Sequence, residues 1–542
     1  MYVEKDRGVV RDPQIISLDD LVPQDHLVRK LQYAIDWEFI RDEVKGLYSP
    51  IEWGRPGIDP VVLFKLVMLQ YTFGIRSMRQ TLAETEVNMA YRWFIGYGMT
   101  EKIPHFSTFS KNYTRRFQYS DVFEKIFNHI LTEAVMSGYV DARSVFIDGT
   151  HIKANANKNK KVRVAVEAEA KAYQAQLEAE IAADREAHGK KPLQDKDDTD
   201  QDPPSDSDSS GESEGRDNKM VTQSTTDPEA GMFCKGEHER QFAYVANTAC
   251  DRHNFILGFH LGAGNIHDNQ MFQHVYPEII KRFPEVQTVA VDAGYKTPGI
   301  MKEIIDSKRI PCIPYTRPKT PEGYFPKYEF VYDEHYDCYL CPQNQILKYS
   351  TTNREGYREY KSGASYCKNC PCLEQCTKSK NHQKTVTRHV WEGYMEQAEE
   401  YRQTYKYKEV YANRKKTIER VFADAKEKHG LRFTQLRGLR KVRMQVTLTF
   451  ACMNLKKLAT WRYWTLGKWS TLSAVSQIFL IVKRSFALIW TKLLFVDKLR
   501  THPRVRPFFI ICRLPGSRRG AAPRAVPSSC ARSSCPLPRP AH

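Results

Sequence analysis

Two short apolar runs stand out in the hydrophobic pattern of the central chain, and each ends in an aspartate. Residues 144–147 (SVFI) precede Asp148, and residues 288–291 (TVAV) precede Asp292. Runs of this kind predict buried strands that deliver a carboxylate to the edge of a sheet. Between them, FAYVANTACDRHNFILGFHLGAG contains two alternating runs, which predict a strand pair. Strands separated by helical segments predict a layered α/β fold.

Residues 1–140 carry a helical pattern instead. Asp59 followed by Pro60 predicts a helix start ahead of VVLFKLVMLQYTFGI. Ser77 and Gln80 have the spacing of a capping box before RQTLAETEVNMAYRWFIG. Short helices with surface arginines fit a helix-turn-helix-like DNA-binding module. A helical packing or dimerisation domain fits the composition equally well.

The rest of the chain divides by composition. An Ala/Glu-rich stretch predicts an exposed helix over residues 164–188, and a Ser/Asp/Pro-rich run predicts a disordered acidic insertion over residues 190–230. We expect the insertion to leave the fold intact. The predicted units are 1–140, 141–335, 336–380, 381–465 and 466–542. The last combines amphipathic stretches with a Pro/Arg-rich tail, for which we expect disorder and an altered or frame-shifted end.

The charge balance indicates a polyanionic partner. The 542 residues carry a formal net charge of +18, which favours nucleic-acid binding through counterion release. A soluble basic protein without such a partner is the alternative. The polar start MYVEKDRGVVRDPQ does not resemble a signal peptide. The apolar stretches at 472–482 and 486–496 are too short to predict a membrane span. They are interpreted as amphipathic helices or a core hairpin, with a membrane hairpin as the alternative, and we expect a cytoplasmic protein of several domains.

One dense cluster holds six of the 13 cysteines. Two CxxC pairs lie a hairpin-sized gap apart, and two more cysteines follow the second pair. This spacing predicts a small zinc-ribbon-like insertion over residues 336–380, with a structural Zn²⁺. Six thiols compete for four positions, so the ligand choice stays open, and free thiols on a loop are the alternative. The preferred ligands are Cys338, Cys341, Cys367 and Cys370, with Cys372 and Cys376 as the remaining thiols.

Three carboxylates far apart in the chain are the candidate catalytic residues: Asp148, Asp292 and Glu419. Glu419 lies in the helical segment NRKKTIERVFADAKEKHGLR, and Lys426, seven residues later, falls on the same face. Two strand-end aspartates and a helix glutamate are suited to hold Mg²⁺ or Mn²⁺. In a chain this basic, the expected substrate is a nucleic-acid phosphodiester.

Neighbouring polar residues have simpler interpretations. Asp251 is expected in a hairpin turn, and Asp268 is interpreted as a helix cap in preference to a metal ligand. His267 is expected to form a structural hydrogen bond. Gly149 and Gly294 are predicted to permit close backbone approach beside the acids.

Together these segments resemble bacterial insertion-sequence transposases of the DDE type, in the IS4-like superfamily branch, over about residues 14–464. GRPGIDPVVLFKLVMLQYTFGIRSMRQT and PHFSTFSKN resemble the N-terminal domain of that branch, IDGTHIKANANK its first acidic motif and VDAGYKT its second. The third motif of the family is a helix with a tyrosine, an arginine, the catalytic glutamate and a lysine. Tyr411, Arg414, Glu419 and Lys426 match it, although Arg414 lies one residue further from Glu419 than in the commonest form. Lys415 occupies the strict arginine position, so both cations stay candidates.

The resemblance implies an RNase H-like mixed sheet flanked by helices, preceded by a helical DNA-binding domain. It implies two Mg²⁺ or Mn²⁺ ions held by Asp148, Asp292 and Glu419. Hydrolysis at the end of the element would be followed by attack of the freed 3′-hydroxyl on target DNA. Spacing alone favours a solvated helix face for the nearby polar residues, whereas the resemblance implies that they contact DNA: Tyr411, Arg414, Lys415 and Lys426.

The implied partners are double-stranded DNA, namely the terminal inverted repeats and the target, and at least a second copy of the chain. The implied location is the bacterial cytoplasm, at the nucleoid. Two alternatives stay open. One is a hydrolysis-only nuclease of the same fold, and the other is an inactive DNA-binding remnant or regulator of the element.

Overall fold

The structure is a computed structural model that describes residues 15–48, 57–166, 173–193, 219–235, 239–317 and 320–465. The predicted amphipathic segment and tail at 466–542 lie outside these residues. Most of the predicted acidic insertion, residues 194–218, also lies outside them.

The N-terminal region is helical, as predicted from its apolar periodicity and caps. The side chain of Asp59 accepts from the backbone N of Val61, and that of Ser77 accepts from the N of Gln80. Within the described residues up to Met136, all regular elements are helical. The helices are α1 (Leu18–Leu21), α2 (Leu27–Ala34), α3 (Phe39–Val44), α4 (Pro60–Thr72), α5 (Met78–Val87), α6 (Met89–Ile95), α7 (Ser107–Asn112) and α8 (Val122–Met136), with a 3₁₀ turn at Lys45–Leu47 and a π turn at Tyr113–Phe117.

A mixed eight-stranded sheet follows. Its strands are β1 (Ser144–Lys153), β2 (Lys161–Val166), β3 (Lys219–Ser224), β4 (Gly231–Lys235), β5 (Glu239–Asp251), β6 (Ile256–Ala263), β7 (Thr288–Ala290) and β8 (Ile310–Cys312). The order is β2-β3-β4-β5-β1-β7-β8, and β6 also pairs with β5. The central part runs β6-β5-β1-β7-β8, antiparallel through β1 and then parallel. The predicted strand pair is β5 and β6, and the predicted mixed α/β class is confirmed.

A second, five-stranded antiparallel sheet contains the cysteine-rich segment. Its strands, in the order β13-β12-β11-β10-β9, are β9 (Val331–Asp333), β10 (Cys338–Leu340), β11 (Ile346–Thr352), β12 (Tyr357–Lys361) and β13 (Thr385–His389). The short helices α12 (Ala364–Cys367) and α13 (Leu373–Cys376) lie between β12 and β13. This sheet has a small apolar core of its own, which includes Tyr339, Leu347 and Tyr360.

The remaining helices cover the first sheet or connect it to the second. They are α9 (Gln174–Ala187), α10 (Asp268–Arg282), α11 (Pro298–Asp306), α14 (Glu392–Gln403), α15 (Tyr405–Ala412), α16 (Ile418–Lys428) and α17 (Leu439–Thr465), with 3₁₀ turns at Ala293–Tyr295, Lys327–Glu329 and Asn413–Lys416. Helix α17 packs on β6 and on the N-terminal helices α2, α4 and α8. The N-terminal helices and the first sheet therefore share one apolar core.

Two predicted boundaries are wrong. The helix predicted over residues 164–188 begins only at Gln174, because residues 161–166 form β2 and pair with β3. The disordered insertion predicted over residues 190–230 includes ordered residues, since β3 begins at Lys219 and Asp227 is buried. Alternating residues in VRVAV and MVTQS permit strand pairing, which composition did not indicate.

Candidate active site

The register of two parallel strands brings Asp148 and Asp292 to the same level. Ser144 pairs with Thr288, and Phe146 pairs with Ala290. Strand β7 ends at Ala290, and Asp292 follows two residues later, as Asp148 follows Phe146. The prediction that Asp148 ends its strand is wrong, because β1 continues to Lys153. Strand β1 extends beyond the end of β7, its parallel neighbour, because it continues to pair with β5 as far as Lys153.

Asp148 is held by a buried guanidinium. Arg414 Nη2 lies 2.5 Å from Asp148 Oδ2, and the backbone N of Gly149 donates to Oδ1 at 2.8 Å. Burial raises the pKa of Asp148 to about 6, partly opposed by Arg414 and reinforced by the nearby Asp292. Both oxygens of this carboxylate are therefore engaged within the protein.

Asp292 caps the short turn that follows β7. Its Oδ1 accepts from the backbone N of Gly294 at 2.5 Å, so the carboxylate faces the glycine of the VDAGY motif. Its side chain is half-buried. The turn holds this acid beside Asp148, as the contribution of Asp292 to the pKa of Asp148 indicates.

Asp268 is an additional acid in the same place. A Cβ built on Gly149 would lie 3.1 Å from Asp268 Oδ1, and one built on Gly294 would lie 3.2 Å from Asp268 Oδ2. The predicted close approach at both glycines is thus present, and Asp268 is what approaches them. The interpretation of Asp268 as a cap is wrong, because His267 occupies the N-cap position and Asp268 is the first helical residue.

Sequence reasoning missed Asp268 because its neighbours are distant in the chain. Gly149 lies 119 residues earlier in the chain and Gly294 lies 26 residues later. No local sequence pattern predicts that these glycines meet Asp268. Its position at the start of α10, five residues after the end of β6, was the available signal. The other acid considered, Asp251, lies at a turn as predicted, where it accepts from the backbone N of His253 and Phe255.

Glu419 lies in the first turn of α16 with an exposed side chain. Helix α16 packs on β1, with Ile418 and Phe422 buried against the core. In the described part of the chain, no three His, Cys, Asp or Glu side chains are close enough together to hold a metal ion. Asp148, Asp292 and Glu419 are therefore not gathered into a closed cage in this arrangement.

The four predicted DNA-contacting residues occupy different environments. Arg414 is 6% exposed, and its Nε has no hydrogen-bond partner in the described structure. Its Nη1 lies 3.5 Å from the hydroxyl of Tyr411, which is half-buried. Lys415 is exposed, and Lys426 is half-buried near His151. Arg414 therefore faces Asp148. The resemblance implied that either Arg414 or Lys415 contacts a phosphate, and that contact stays a prediction.

The cysteine cluster differs from the predicted ligand set. Cys338 is buried within β10. Burial raises the pKa of Cys376, and the neighbouring thiols of Cys367, Cys341 and Cys370 add to that increase. All six are free thiols, and zinc binding stays a prediction. The thiol that joins the other three is Cys376, whereas Cys338 lies near Asp333 and Asp337.

Comparison with family models gives two matches. The model described as Transposase domain (DUF772) matches residues 16–115, within the N-terminal helices. The model described as Transposase DDE domain matches residues 340–459, from the second sheet through the helix that carries Glu419 and into α17. Comparison with curated proteins and with solved structures gives no match. None of the described helices is long and apolar enough to cross a membrane.

Proposed function

Because the chain belongs to the insertion-sequence transposases of the DDE type, we propose that it cuts DNA at the ends of its element and joins them to target DNA. The catalytic residues in this proposal are Asp148, Asp292 and Glu419. The observation that carries it is the level position of Asp148 on β1 and Asp292 directly after β7, which the parallel register of these two strands produces. Glu419 falls within the matched Transposase DDE segment. The β6-β5-β1-β7-β8 order supports an RNase H-like catalytic core.

The donor set fits Mg²⁺ or Mn²⁺, since both prefer carboxylate oxygen. Asp148 and Asp292 would hold the ions, and Glu419 would join them from α16. The two bound ions would activate water or a 3′-hydroxyl and stabilise the leaving oxygen of the phosphodiester. Arg414 neutralises the charge of Asp148 while no cation is bound. Its guanidinium must release one carboxylate oxygen of Asp148 before a cation can bind that oxygen.

The basic residues around the site would position the DNA. Lys415 is exposed beside the site, and Lys426 lies on the same face of α16 as Glu419, two turns later. Both suit contacts to phosphates, and Tyr411 suits stacking or a hydrogen bond nearby. Arg414 would reach a phosphate only after leaving Asp148. Double-stranded terminal repeats and target DNA are the partners, and joining two ends calls for at least two copies of the chain, acting at the bacterial nucleoid.

A plasmid carrying the DNA that flanks this gene tests the proposal. The intact protein is incubated with it and Mg²⁺ or Mn²⁺, beside Asp148→Asn, Asp292→Asn and Glu419→Gln. We expect metal-dependent nicks at both gene ends, reduced by at least 10³-fold in each variant because each loses a metal-ligating charge. DNA binding should stay within a few fold of the intact protein.

Other outcomes identify the alternatives. Nicks scattered over the plasmid would indicate a hydrolysis-only nuclease. Specific binding at the gene ends without any cutting would indicate an inactive remnant or regulator. A parallel loss of DNA binding in the three variants would show that these carboxylates stabilise the fold and do not act on DNA.

A further inference from the structure

Asp268 occupies a gap that two glycines leave beside the candidate catalytic aspartates. One carboxylate oxygen faces Gly149, which follows Asp148, and the other faces Gly294, which follows Asp292 by two residues. A methyl group at either glycine would lie 3.1–3.2 Å from an Asp268 oxygen. Both motifs thus have a glycine where the Asp268 carboxylate needs room.

A chain of hydrogen bonds fixes that carboxylate. The hydroxyl of Tyr295, a fully buried residue, accepts from Asn247 Nδ2 at 2.7 Å. The same hydroxyl bonds the side chain of Asp268. Asn247 is itself fully buried in β5 and pairs with Gly149 across the sheet. The central sheet therefore orients Asp268 through two buried polar side chains.

Negative charge exceeds positive charge at this place. Burial raises the pKa of Asp268, and the nearby Asp292 raises it further. Asp268 and Asp292 also act on Asp148, which is paired with Arg414. Three carboxylates thus lie near one another with one guanidinium, which is bonded to Asp148, and such a cluster is costly to bury without a further cation.

Two buried polar atoms beside the cluster lack partners in the described structure. They are Asn247 Oδ1, on the amide that bonds Tyr295, and Arg414 Nε. Asn247 is 0% exposed. A buried acceptor left unpaired is uncommon and costs about 1–3 kcal/mol. The unpaired Asn247 acceptor belongs to the amide that orients Asp268 through Tyr295, and a water molecule held by a cation at this site would satisfy it.

We propose that Asp268 becomes a further ligand of the divalent-cation site when its carboxylate closes around the ion together with those of Asp148 and Asp292, which are not gathered that closely in the described structure. Tyr295 and Asn247 position Asp268 for this role. The inference rests on the proposed function and adds to it a fourth acidic residue. It also accounts for the two glycines, since both leave space for the same carboxylate. A purely structural role for Asp268, as a favourable acid in the first turn of α10, is the competing explanation.

Mn²⁺ binding to the full chain without DNA separates the two explanations. Free Mn²⁺ is followed by electron paramagnetic resonance for the intact protein, Asp268→Asn, Asp292→Asn and the control Glu278→Gln. Glu278 is an exposed carboxylate on the same helix, ten residues later. We expect at least a tenfold weaker Mn²⁺ affinity for Asp268→Asn and Asp292→Asn, and no change for Glu278→Gln.

Tyr295→Phe supplies an independent variant that keeps the ring and all four carboxylates. Removing the hydroxyl leaves Asp268 without its orienting bond, and we expect Mn²⁺ to bind 3- to 10-fold more weakly. The Mn²⁺ concentration for half-maximal plasmid nicking should rise by the same factor. The Kd for DNA measured without metal should stay unchanged, which a general loss of structure would not allow.

The failure of this inference differs from the failure of the proposed function. Asp268→Asn with normal Mn²⁺ affinity, beside weakened Asp292→Asn, overturns the role of Asp268 and leaves the transposase site intact. Normal affinity in both variants, together with undiminished nicking by Asp292→Asn, overturns the proposed function itself. Equal weakening by Glu278→Gln would show that only net charge matters and would also overturn the inference.

Discussion

At the scale of single residues, the ion pair between Arg414 and Asp148 determines whether the carboxyl group of Asp148 is ionised. The guanidinium is 6% exposed and lies 2.5 Å from the carboxylate. Desolvation works against the charged form of Asp148, and Arg414 works for it. The pair keeps one carboxylate ionised in the absence of metal, because a buried charge is tolerated only with a partner.

Arg414→Met is expected to destabilise the protein at pH 8 by about 3 kcal/mol, at the lower end for a broken buried pair. The loss arises because Asp148 stays buried without a counter-charge. Adding Asp148→Asn should restore most of it, since the uncompensated charge disappears. Chemical denaturation of the two single variants and the double variant measures this coupling. Additive losses would mean that the pair contributes nothing.

The same variant should respond to pH in a defined direction. The folded-state pKa of Asp148 is raised to about 6, above its ordinary value of 3.8. The folded protein therefore takes up a proton more readily than the unfolded chain, and lowering the pH from 8 to 5 favours folding at this residue. Removal of Arg414, which lowers the pKa of Asp148, raises that pKa further in the variant. The variant therefore gains more from protonation than the intact protein, and its deficit should shrink over that range. A deficit that grows towards pH 5 would contradict the assignment.

At the scale of secondary-structure elements, strand pairing and one long helix position the site. The parallel pairing of β1 with β7 brings the two aspartates level, and antiparallel pairing with β5 places Asn247 opposite Gly149. Helix α17 supports the outer side of this sheet through Asn454. Its Oδ1 accepts from the backbone N of Ile256 at 2.9 Å, and its Nδ2 donates to the O of Ile256 at 2.8 Å. The Asn454 side chain thus forms with Ile256, at the start of β6, the two backbone hydrogen bonds that a neighbouring strand would otherwise form.

Asn454→Leu is expected to lower the free energy of unfolding by roughly 2–4 kcal/mol. The substitution leaves two buried backbone groups of Ile256 without partners, each at a cost of about 1–3 kcal/mol. Thermal or denaturant unfolding measures the loss. The exposed Lys441→Ala on the same helix serves as the control and should change stability by less than about 0.5 kcal/mol. A loss below about 1 kcal/mol for Asn454→Leu would mean that water replaces the amide.

At the scale of the whole molecule, the described chain has two apolar cores of unequal size. The large one joins the N-terminal helices, the first sheet and α17, and the small one lies within the second sheet. Elements that share a core unfold together, whereas a small separate core opens at lower free energy. The N-terminal helices are thus energetically part of the unit that carries the candidate active site.

Hydrogen exchange measured by mass spectrometry should show this difference. Amides of the second sheet, between Val331 and His389, should exchange faster than those of β1, β5 and α4. Leu347→Ala removes a fully buried side chain of the small core, and cavity formation there should cost about 2–4 kcal/mol. Its effect should stay within the second sheet. Faster exchange in α4 as well would show that the two cores are coupled.

The sequence by itself determined the elements and the chemical character of this protein. Local signals predicted α4 and α5 through Asp59 and Ser77, the β5–β6 pair through alternation, and two of the acids through the apolar runs before them. The predictions of the two helices and of the strand pair are confirmed, because caps and periodicity depend on neighbouring residues. The catalytic role of the two acids stays a prediction. The motif order and the +18 charge led to the family that the domain matches support.

Only the tertiary structure decided which side chains meet. The position of Asp268 between Gly149 and Gly294, the burial of Arg414 against Asp148, and the grouping of Cys376 with three other thiols all join residues distant in the chain. Such contacts follow from strand register and from helix packing on a shared core. A one-residue change of register would move each side chain to the other face of the sheet, and no local pattern in the sequence specifies that register.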